Sequence, residues 1–408
     1  MSATSFHVST NAQPKPHHTP WSYMLCVSNC PFDIIHHIDS NLVYILFQTC
    51  KCFPRPSYGL PIGSSIQTQV VSYHLQTFAS NNYYLSLFIM VLVEEKHVTA
   101  ELLPFLRVHN DGTVERLYNP QLAPPSSLVD GVRSKDTVIS PEVSARLYLP
   151  CNTTEKLPIL VYFHGGGFCI ESAFSILSHQ YINTIASQAN ALVISVDYRL
   201  APEHPLPAAY EDSWTALQWV ATHSTEGLNE KDEPWLIQHG DFNRLYIGGD
   251  SAGANISHHI AMRVGTEELH GGVKILGAFL SHPYFWGSEP LGSEPVTSRE
   301  TSLLYRTWML VYPGAPEGID NPHINPFAKT APCLAGIGCR RLIVCVASQD
   351  ELRDRAVHYY DAMREGGWEG ELSVFEVEGE GHGFHIFNPN TKNAKEMFKR
   401  LAGFLQVS

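Results

Sequence analysis

The sequence GDSAG at residues 249–253 decides the fold, because it lies where a strand gives way to a helix. A short apolar strand is predicted at residues 245–247, and a helix is predicted at residues 252–264. In that context the pattern G-x-S-x-G predicts a nucleophile elbow, a sharp turn that exposes Ser251 at the N-terminus of the helix. The helix dipole favours developing negative charge there. Taken alone, the pattern also fits a glycine-rich turn without a catalytic role, so the hypothesis depends on other motifs.

Strands and helices alternate on both sides of this turn, which indicates an α/β fold. Continuous apolar runs at residues 158–163 and 191–196 predict strands that are buried on both faces. Further strands are predicted at residues 275–280, 342–347 and 372–377, and further helices at residues 208–222, 353–364 and 394–404. Two antiparallel pairs precede them, at residues 105–108 with 113–117 and at residues 137–139 with 144–149. This order predicts a mostly parallel sheet with helices on both faces and antiparallel strands at its start.

A glycine run, His164-Gly165-Gly166-Gly167, follows the predicted strand at residues 158–163. Three consecutive glycines allow backbone N–H groups to point inward without obstruction by side chains, which is what an oxyanion hole requires. A phosphate-binding loop is the alternative, but the lysine and hydroxyl residue of a P-loop are absent. We expect His164 to brace the loop rather than to act as a base.

A serine nucleophile needs a base and a carboxylate, which in this fold follow the serine in the order Asp or Glu, then His. Asp350 directly follows the apolar strand at residues 342–347 and is the candidate carboxylate, whereas Asp354 lies within the next helix and is expected to cap it or to form a salt bridge. His382 lies in a glycine-flanked loop after the strand at residues 372–377 and is the candidate base. His385 is its rival. The other histidines, such as His258 and His259, are expected on the helix surface or in packing roles.

Together these motifs resemble those of plant carboxylesterases of the hormone-sensitive-lipase group of α/β-hydrolases. The resemblance covers residues 90–408. It rests on HGGGF at 164–168, DYRLAPEHP at 197–205, GDSAG, SHPYFWG from 281, NPHINP from 321, DELRDR from 350 and GHGFHIFNP from 381. It implies that Ser251, Asp350 and His382 form a catalytic triad. It also implies that Gly166, Gly167 and Ala252 supply the N–H groups of the oxyanion hole, with no cofactor and no metal.

The resemblance implies a serine carboxylesterase that hydrolyses small to medium carboxylic esters through an acyl-enzyme intermediate. Two related activities remain as alternatives. A 2-hydroxyisoflavanone dehydratase would use the same histidine and oxyanion hole to remove a proton beside a carbonyl and expel a hydroxyl. Some of these enzymes carry Thr at the elbow, so Ser251 favours the esterase. A gibberellin receptor shares the fold but lacks the triad histidine, so the presence of His382 argues against that role.

Two segments, residues 91–122 and 284–327, are rich in Phe, Trp, Leu and Pro, and we expect them to form a cap over the pocket. The aromatic residues of the second segment are candidates for the pocket lining: Tyr284, Phe285, Trp286, Trp308 and Tyr312.

Composition sets limits on the remaining possibilities. The 408 residues include 44% hydrophobic residues, enough for a large core, and carry a net charge of −13, which argues against nucleic acid or anionic membranes as partners. Nine cysteines are an odd number in a long chain, so a full disulfide framework is not implied. We expect reduced thiols in the cytoplasm. The strongest apolar run, residues 83–93, is about half the ~20 residues that a membrane span requires, so no span is predicted.

Residues 1–89 differ from the rest of the chain. Their only Asp, Glu, Lys or Arg residues are Lys15, Lys51, Arg55, Asp33 and Asp39. Without a helical or strand period, this segment is predicted to be an irregular, poorly ordered extension, followed by the α/β-hydrolase domain with its cap at residues 90–408. Four cysteines, Cys26, Cys30, Cys50 and Cys52, fit no standard spacing of zinc ligands.

Overall fold

The computed structural model describes residues 96–151, 154–224 and 233–406, together with the backbone of three earlier strands. Its contacts divide the chain into two units, Met1–Glu95 and Lys96–Ser408. The division lies a few residues after the predicted boundary at residue 90.

The first unit contains the strands β1 (Val43–Thr49), β2 (Thr68–Tyr73) and β3 (Leu85–Leu92), which form an antiparallel sheet with β3 in the middle. The sequence showed no strand period here. The reason is that β1 and β3 contain nearly continuous apolar runs instead of alternating apolar and polar residues. The four early cysteines lie outside the described residues.

The second unit opens with a small antiparallel sheet of three strands, β4 (Val98–Leu102), β5 (Leu106–His109) and β6 (Val114–Arg116). The pair β5 and β6 is the first antiparallel pair that the sequence predicted, and Asn110-Asp111-Gly112 form the turn between its strands. Gly112 has a φ of 79°, a left-handed conformation that glycine adopts without strain.

An eight-stranded sheet forms the centre of the second unit. Its strands are β7 (Val132–Ser140), β8 (Val143–Pro150), β9 (Leu157–Phe163), β10 (Leu192–Asp197), β11 (Gly240–Asp250), β12 (Ile275–Ser281), β13 (Arg341–Ala347) and β14 (Glu371–Val377). They lie in the order β14-β13-β12-β11-β9-β10-β8-β7. The strands from β14 to β10 are parallel, whereas β8 is antiparallel to both β10 and β7. The predicted mostly parallel sheet with antiparallel strands at its start is confirmed.

Helices cover both faces of this sheet, as predicted. They are α1 (Ile176–Ala189), α2 (Ala208–Thr222), α3 (Pro234–His239), α4 (Ala252–Arg263), α6 (Arg353–Glu365), α7 (Phe384–Phe387) and α8 (Lys392–Gln406), whereas α5 (Leu303–Val311) belongs to the cap and contacts β4 of the small sheet. Alternate residues of the fully buried β9 enter two different apolar clusters. Ile159 and Val161 pack in the cluster that includes α2, α4 and α6, whereas Leu160 packs in the cluster that includes α1 and α8. This alternation follows from the two-residue period of a strand.

The parallel arrangement gathers the candidate residues at one edge of the sheet. The glycine run follows β9, Ser251 follows β11, and Asp350 and His382 follow β13 and β14. These four strands belong to the parallel part of the sheet, where only β12 lies among them. Their carboxyl ends therefore meet at the same edge, which is where open α/β sheets bind ligands. Within the described residues, no helix is long and apolar enough to cross a bilayer.

Candidate active site

The turn from β11 into α4 has the strained backbone of a nucleophile elbow. Ser251 adopts φ 56° and ψ −115°, which is rare for any residue other than glycine, and its N–H donates to the carbonyl of Ser281 at 2.8 Å. The two motif glycines make the turn possible. A Cβ atom on Gly249 would lie 2.4 Å from the carbonyl of Gly253, and one on Gly253 would lie 1.9 Å from the carbonyl oxygen of Phe163.

The glycine run after β9 lies against this elbow. A Cβ atom on Gly165 would lie 3.5 Å from the Cβ atom of Ser251. Gly166 has a φ of 104°, and its carbonyl accepts hydrogen bonds from Cys169 and Ile170 in a tight turn. A Cβ atom at Gly166 would lie only 2.2 Å from the carbonyl oxygen of Ile170, so the turn needs glycine.

Three backbone N–H groups near Ser251 are available as donors. Among the turns, loops and caps of the described residues, the N–H groups of Gly166 and Gly167 have no protein acceptor. Ala252 is the first residue of α4, and an N–H at that position has no acceptor within the helix. The structure therefore leaves the three predicted oxyanion donors without a protein partner.

Asp350 and His382 are hydrogen-bonded to each other. His382 Nδ1 lies 2.8 Å from Asp350 Oδ2, and the Leu352 N–H donates to Asp350 Oδ1 at 3.0 Å. Asp350 is 8% exposed, and burial alone would raise its pKa, but the hydrogen bonds from His282 and His382 lower the pKa of this carboxyl well below its ordinary value. The His382 side chain is 39% exposed. Partial burial lowers its pKa, but the hydrogen bond and negative charge of Asp350 outweigh burial and raise it above the ordinary histidine value.

His282 is a site residue that the sequence analysis missed. Its Nδ1 lies 3.0 Å from Asp350 Oδ2, the same oxygen that His382 contacts. The side chain is 1% exposed, and burial lowers its pKa, which favours the neutral form. A signal was present, because His282 directly follows the carboxyl end of β12, at the same sheet edge as the other candidates.

The ligand atoms of His282, Asp350 and His382 lie within 4.8 Å of one another, close enough to suggest a metal site. Both imidazole Nδ1 atoms are, however, at hydrogen-bond distance from one carboxylate oxygen. Two N–H···O bonds explain this proximity without an ion.

The rival base, His385, is occupied elsewhere. Its Nε2 lies 2.8 Å from Asp250 Oδ1, Tyr162 donates its hydroxyl to the other oxygen of Asp250 at 2.9 Å, and the His385 side chain is fully buried. Unlike His382, it does not line the cavity beside Ser251. The geometry therefore favours His382 as the base.

The remaining candidates have structural contacts. His164 stacks on Tyr198 with ring centroids 4.2 Å apart, as expected of a residue that braces the loop. Asp354 forms a salt bridge with Arg353 at 2.7 Å, as predicted. His258 is buried and His259 is half-buried, and both make packing contacts. His258 Nδ1 lies 3.0 Å from the Tyr359 hydroxyl, and His259 Nε2 lies 2.9 Å from the carbonyl oxygen of His323.

A cavity of about 320 Å³ opens above the sheet edge and is lined by Ser251, His282, His382 and the glycine run. Both predicted cap segments contribute to its wall. The first supplies Leu102, Phe105 and Tyr118, and the second supplies Tyr284, Leu303, Leu304 and Thr307. Apart from the catalytic candidates, the lining is mainly apolar.

The prediction of the aromatic lining was right for Tyr284 and wrong for the other four residues. Phe285, Trp286 and Trp308 are buried in the main apolar cluster, and Tyr312 packs against that cluster. Contacts within the cap account for the difference. The Arg299 guanidinium lies 4.6 Å from the ring centroid of Trp286, and Trp308 Nε1 donates to the carbonyl of Gly318 at 2.9 Å.

Comparison with known proteins agrees with this geometry. A family model described as the α/β-hydrolase fold matches residues 160–386. The chain belongs to the α/β-hydrolase family. A 2-hydroxyisoflavanone dehydratase from Glycyrrhiza echinata is 56% identical over 76% of this chain and 97% of its own length. A probable carboxylesterase 2 from Arabidopsis thaliana is 43% identical over 76% of this chain and 97% of its own length. The predicted resemblance to plant carboxylesterases of this family is confirmed.

Solved α/β-hydrolases support the same fold. The esterase LipW from Mycobacterium marinum is 25% identical, with a TM-score of 0.55 over 69% of this chain and 83% of its own. These comparisons establish a carboxylesterase-like hydrolase family for the chain.

Proposed function

We propose that this α/β-hydrolase is a serine carboxylesterase that hydrolyses small to medium carboxylic esters. One observation carries the proposal. Ser251, in a strained elbow, and His382, hydrogen-bonded to the buried Asp350, line the same cavity. A nucleophile, a base and a group that orients the base are the three parts that acyl transfer by serine requires.

The proposed mechanism starts from the tautomer of His382. Because Nδ1 faces the ionised Asp350, Nδ1 carries the proton and Nε2 is free to accept one. His382 takes the Ser251 proton as Oγ attacks the ester carbonyl, then gives that proton to the departing alcohol. Water repeats the sequence on the acyl-enzyme, and the carboxylic acid is released. Asp350 stabilises the imidazolium that forms in both steps.

The oxyanion that develops in each step is assigned to the N–H groups of Gly166, Gly167 and Ala252. Each such donor contributes about 3 kcal/mol to the transition state in comparable sites. The strained turn at Gly166 and the position of Ala252 at the start of α4 hold two of these donors in place before substrate binds.

The cavity supports the proposed substrate class. A volume of about 320 Å³ lies at the small end of ordinary ligand pockets, and its wall is mainly apolar. Uncharged esters with short to medium acyl and alcohol groups fit such a wall, whereas an anionic group there would lose hydration and face the carboxylate of Glu171.

A second candidate function is that of a 2-hydroxyisoflavanone dehydratase, because one such enzyme is 56% identical to this chain. Here His382 would take the proton from the carbon beside a carbonyl, and the N–H donors would hold the enolate oxygen. The hydroxyl on the next carbon would leave as water, with the proton that His382 returns. This elimination needs no serine nucleophile.

One experiment separates the two candidates. Wild-type protein, Ser251→Ala and His382→Ala are assayed on p-nitrophenyl esters of graded chain length and on 2-hydroxyisoflavanone. An esterase hydrolyses the esters and loses this activity in both variants. If the wild type only removes water from 2-hydroxyisoflavanone and Ser251→Ala retains that activity, the second candidate replaces the first.

The proposal places the enzyme in the cytoplasm. Among the described residues, the cysteines are free thiols, and Cys169, Cys339 and Cys345 are buried. Free thiols persist in the reducing cytosol. Fluorescence of a C-terminal fusion in plant cells tests this location.

A further inference from the structure

Asp350 receives hydrogen bonds from two histidines on the same oxygen, although the proposed mechanism uses only one of them. His382 Nδ1 lies 2.8 Å and His282 Nδ1 lies 3.0 Å from Asp350 Oδ2. The Leu352 N–H occupies Oδ1. The protein therefore supplies three donors to a carboxylate that is almost completely buried.

His282 is held rigidly in the position that makes this contact. Its backbone has a φ of 51°, and its N–H donates to the carbonyl of Cys345 on the neighbouring β13 at 2.8 Å. Its ring stacks on that of His385, with centroids 5.4 Å apart and planes inclined by 17°. Strand pairing and stacking thus fix the ring from two directions.

The tautomer of His282 follows from its partner. An ionised carboxylate only accepts hydrogen bonds, so the proton of a neutral His282 is on Nδ1. Its Nε2 has no hydrogen-bond partner among the described residues, so the bond to Asp350 is the one hydrogen bond that they give this ring. A neutral donor in this position holds the carboxylate oxygen without competing with His382 for a proton.

We propose that His282 is a positioning residue, which fixes Asp350 Oδ2 beside His382 and shares the negative charge that this oxygen directs at the catalytic imidazole. The inference rests on the proposed function, because it concerns the base of that reaction. It also applies to the dehydratase alternative, in which His382 has the same role.

The charged and titratable groups that face His282 and His382 come from the elements packed around these two residues. His382 faces Asp350, Asp250 and Glu351, and its ring lies 5.4 Å from that of His282. His282 faces Asp350, His382 and His385. Without the His282 donor, the negative charge of Asp350 acts on His382 alone. The imidazolium form of His382 is then more strongly stabilised. The acid limb of the pH profile should then move to higher pH.

The test compares His282→Phe, which removes the donor, with His282→Asn, whose amide nitrogen reproduces the Nδ1 donor. Asn also tolerates a positive φ. Kinetics are measured on a p-nitrophenyl ester across the acid and neutral range, with active enzyme counted by stoichiometric phosphonylation of Ser251. Unfolding of a destabilised variant at low pH would also move the apparent acid limb upward, so intrinsic fluorescence at each pH restricts the comparison to the range in which both variants are folded. His282→Ala replaces His282→Phe if the latter fails to fold.

We expect His282→Phe to lower kcat by about tenfold or more, as loss of a hydrogen bond to a charged group implies, with little change in KM. Its acid limb should move up by about half a pH unit or more, whereas His282→Asn should keep the wild-type profile. An unmoved acid limb in an active His282→Phe enzyme overturns the inference, as does an equal shift in both variants. If the wild type hydrolyses no ester, the proposed function fails instead, and the same variants are compared on the dehydration of 2-hydroxyisoflavanone.

Discussion

His385 contacts Asp250, the residue that immediately precedes Ser251, through an Nε2–Oδ1 distance of 2.8 Å. His385 also lies three residues after His382, so this contact connects the histidine loop directly to the elbow. The loop and the elbow are therefore held together by a buried hydrogen-bond contact that does not involve the proposed catalytic atoms. Such a contact stabilises the relative position of Ser251 and His382, the proposed nucleophile and base, without taking part in the proposed proton transfer.

Replacement of Ser251 by Ala should abolish ester hydrolysis. The expected loss in kcat is about 10⁴-fold or more, because no other group in the cavity replaces the nucleophile. The melting temperature should be unchanged, since Ala keeps the Cβ atom and the same backbone conformation, and Ser251 Oγ makes no capping hydrogen bond to α4 that Ala would lose. A variant that keeps a tenth of the wild-type turnover would contradict the assignment.

The two histidines of the loop should respond differently to substitution. His382→Ala should match Ser251→Ala in activity, because base and nucleophile act as a unit. His385→Ala should cost far less in kcat but should lower the melting temperature, because it removes a partner of the buried Asp250 carboxylate. His385→Gln is the matched control, since its amide nitrogen can reproduce the Nε2 donor. The reverse ranking in kcat would identify His385 as the base.

The pH profile should show a raised acid limb. Because Asp350 raises the pKa of His382, kcat/KM should fall as pH drops through a value above the ordinary histidine pKa of about 6.5. Asp350→Asn should move this limb to lower pH and reduce kcat by about 10⁴-fold. A wild-type limb at or below the ordinary value would contradict this electrostatic description.

The free energy of unfolding should depend on the Asp350–His382 pair in two separate ranges of pH. The stabilisation from His382 is complete below the ordinary histidine pKa and is lost as pH rises through its raised folded-state pKa. The stabilisation from Asp350 is complete above the ordinary carboxyl pKa and is lost as pH falls toward its lowered one. Urea unfolding at several pH values should show both slopes, and both should be shallower in Asp350→Asn. The acid slope should not vanish, because the pKa values of other carboxyls such as Asp320 and Glu371 are also lowered.

Two glycines provide a matched test of the elbow. Gly253→Ala should prevent folding or abolish activity, since its Cβ atom would lie 1.9 Å from the carbonyl oxygen of Phe163. Gly403→Ala, in the exposed part of α8 with no atom within 4 Å, should raise the free energy of unfolding by about 1 kcal/mol. Thermal melts and ester kinetics of both variants test the contrast, and an active, stable Gly253→Ala protein would show that the close approach can relax.

A chain that begins at Met90 should be soluble, at least as stable to heat as the full chain, and fully active. All candidate site residues and the eight-stranded sheet lie after this position. Melting temperature and kcat/KM of the two proteins provide the comparison. Loss of most of the activity, or a melting temperature lower by several degrees, would show that the first 89 residues are an integral part of the fold.

The sequence predicted the central strands well because β9, β10, β12 and β13 are nearly continuous apolar runs, and the glycine motifs mark the turns that follow β9 and β11. Only residues 137–139 of β7 were predicted, because buried and exposed residues are mixed along this strand. The helix α1 was not predicted, because polar residues are scattered around it and its apolar face is weak. Its ends carry local signals, since Ser175 accepts the N–H of Ser178 and Asn190 adopts a left-handed conformation.

The site was predictable where chemistry depends on local motifs and was missed where it depends on distant contacts. Ser251 and the glycine run are recognisable from their neighbours in sequence. His282 and Asp350 are 68 residues apart, and only the pairing of β12 with β13 brings them together. The lining was mispredicted for a similar reason, because composition does not distinguish an aromatic residue facing a cavity from one that fills the core of the cap.

The reactive groups and the cap side of the cavity wall come from different parts of the chain. Ser251, Asp350 and His382 lie at the sheet edge, whereas Leu303 and Leu304 belong to α5 in the cap. Selectivity and reactivity are therefore encoded separately and are free to diverge. A few exchanges in α5 would admit a different molecule to an unaltered set of reactive atoms. This separation offers a physical reason why one scaffold has relatives named for both water elimination and ester cleavage.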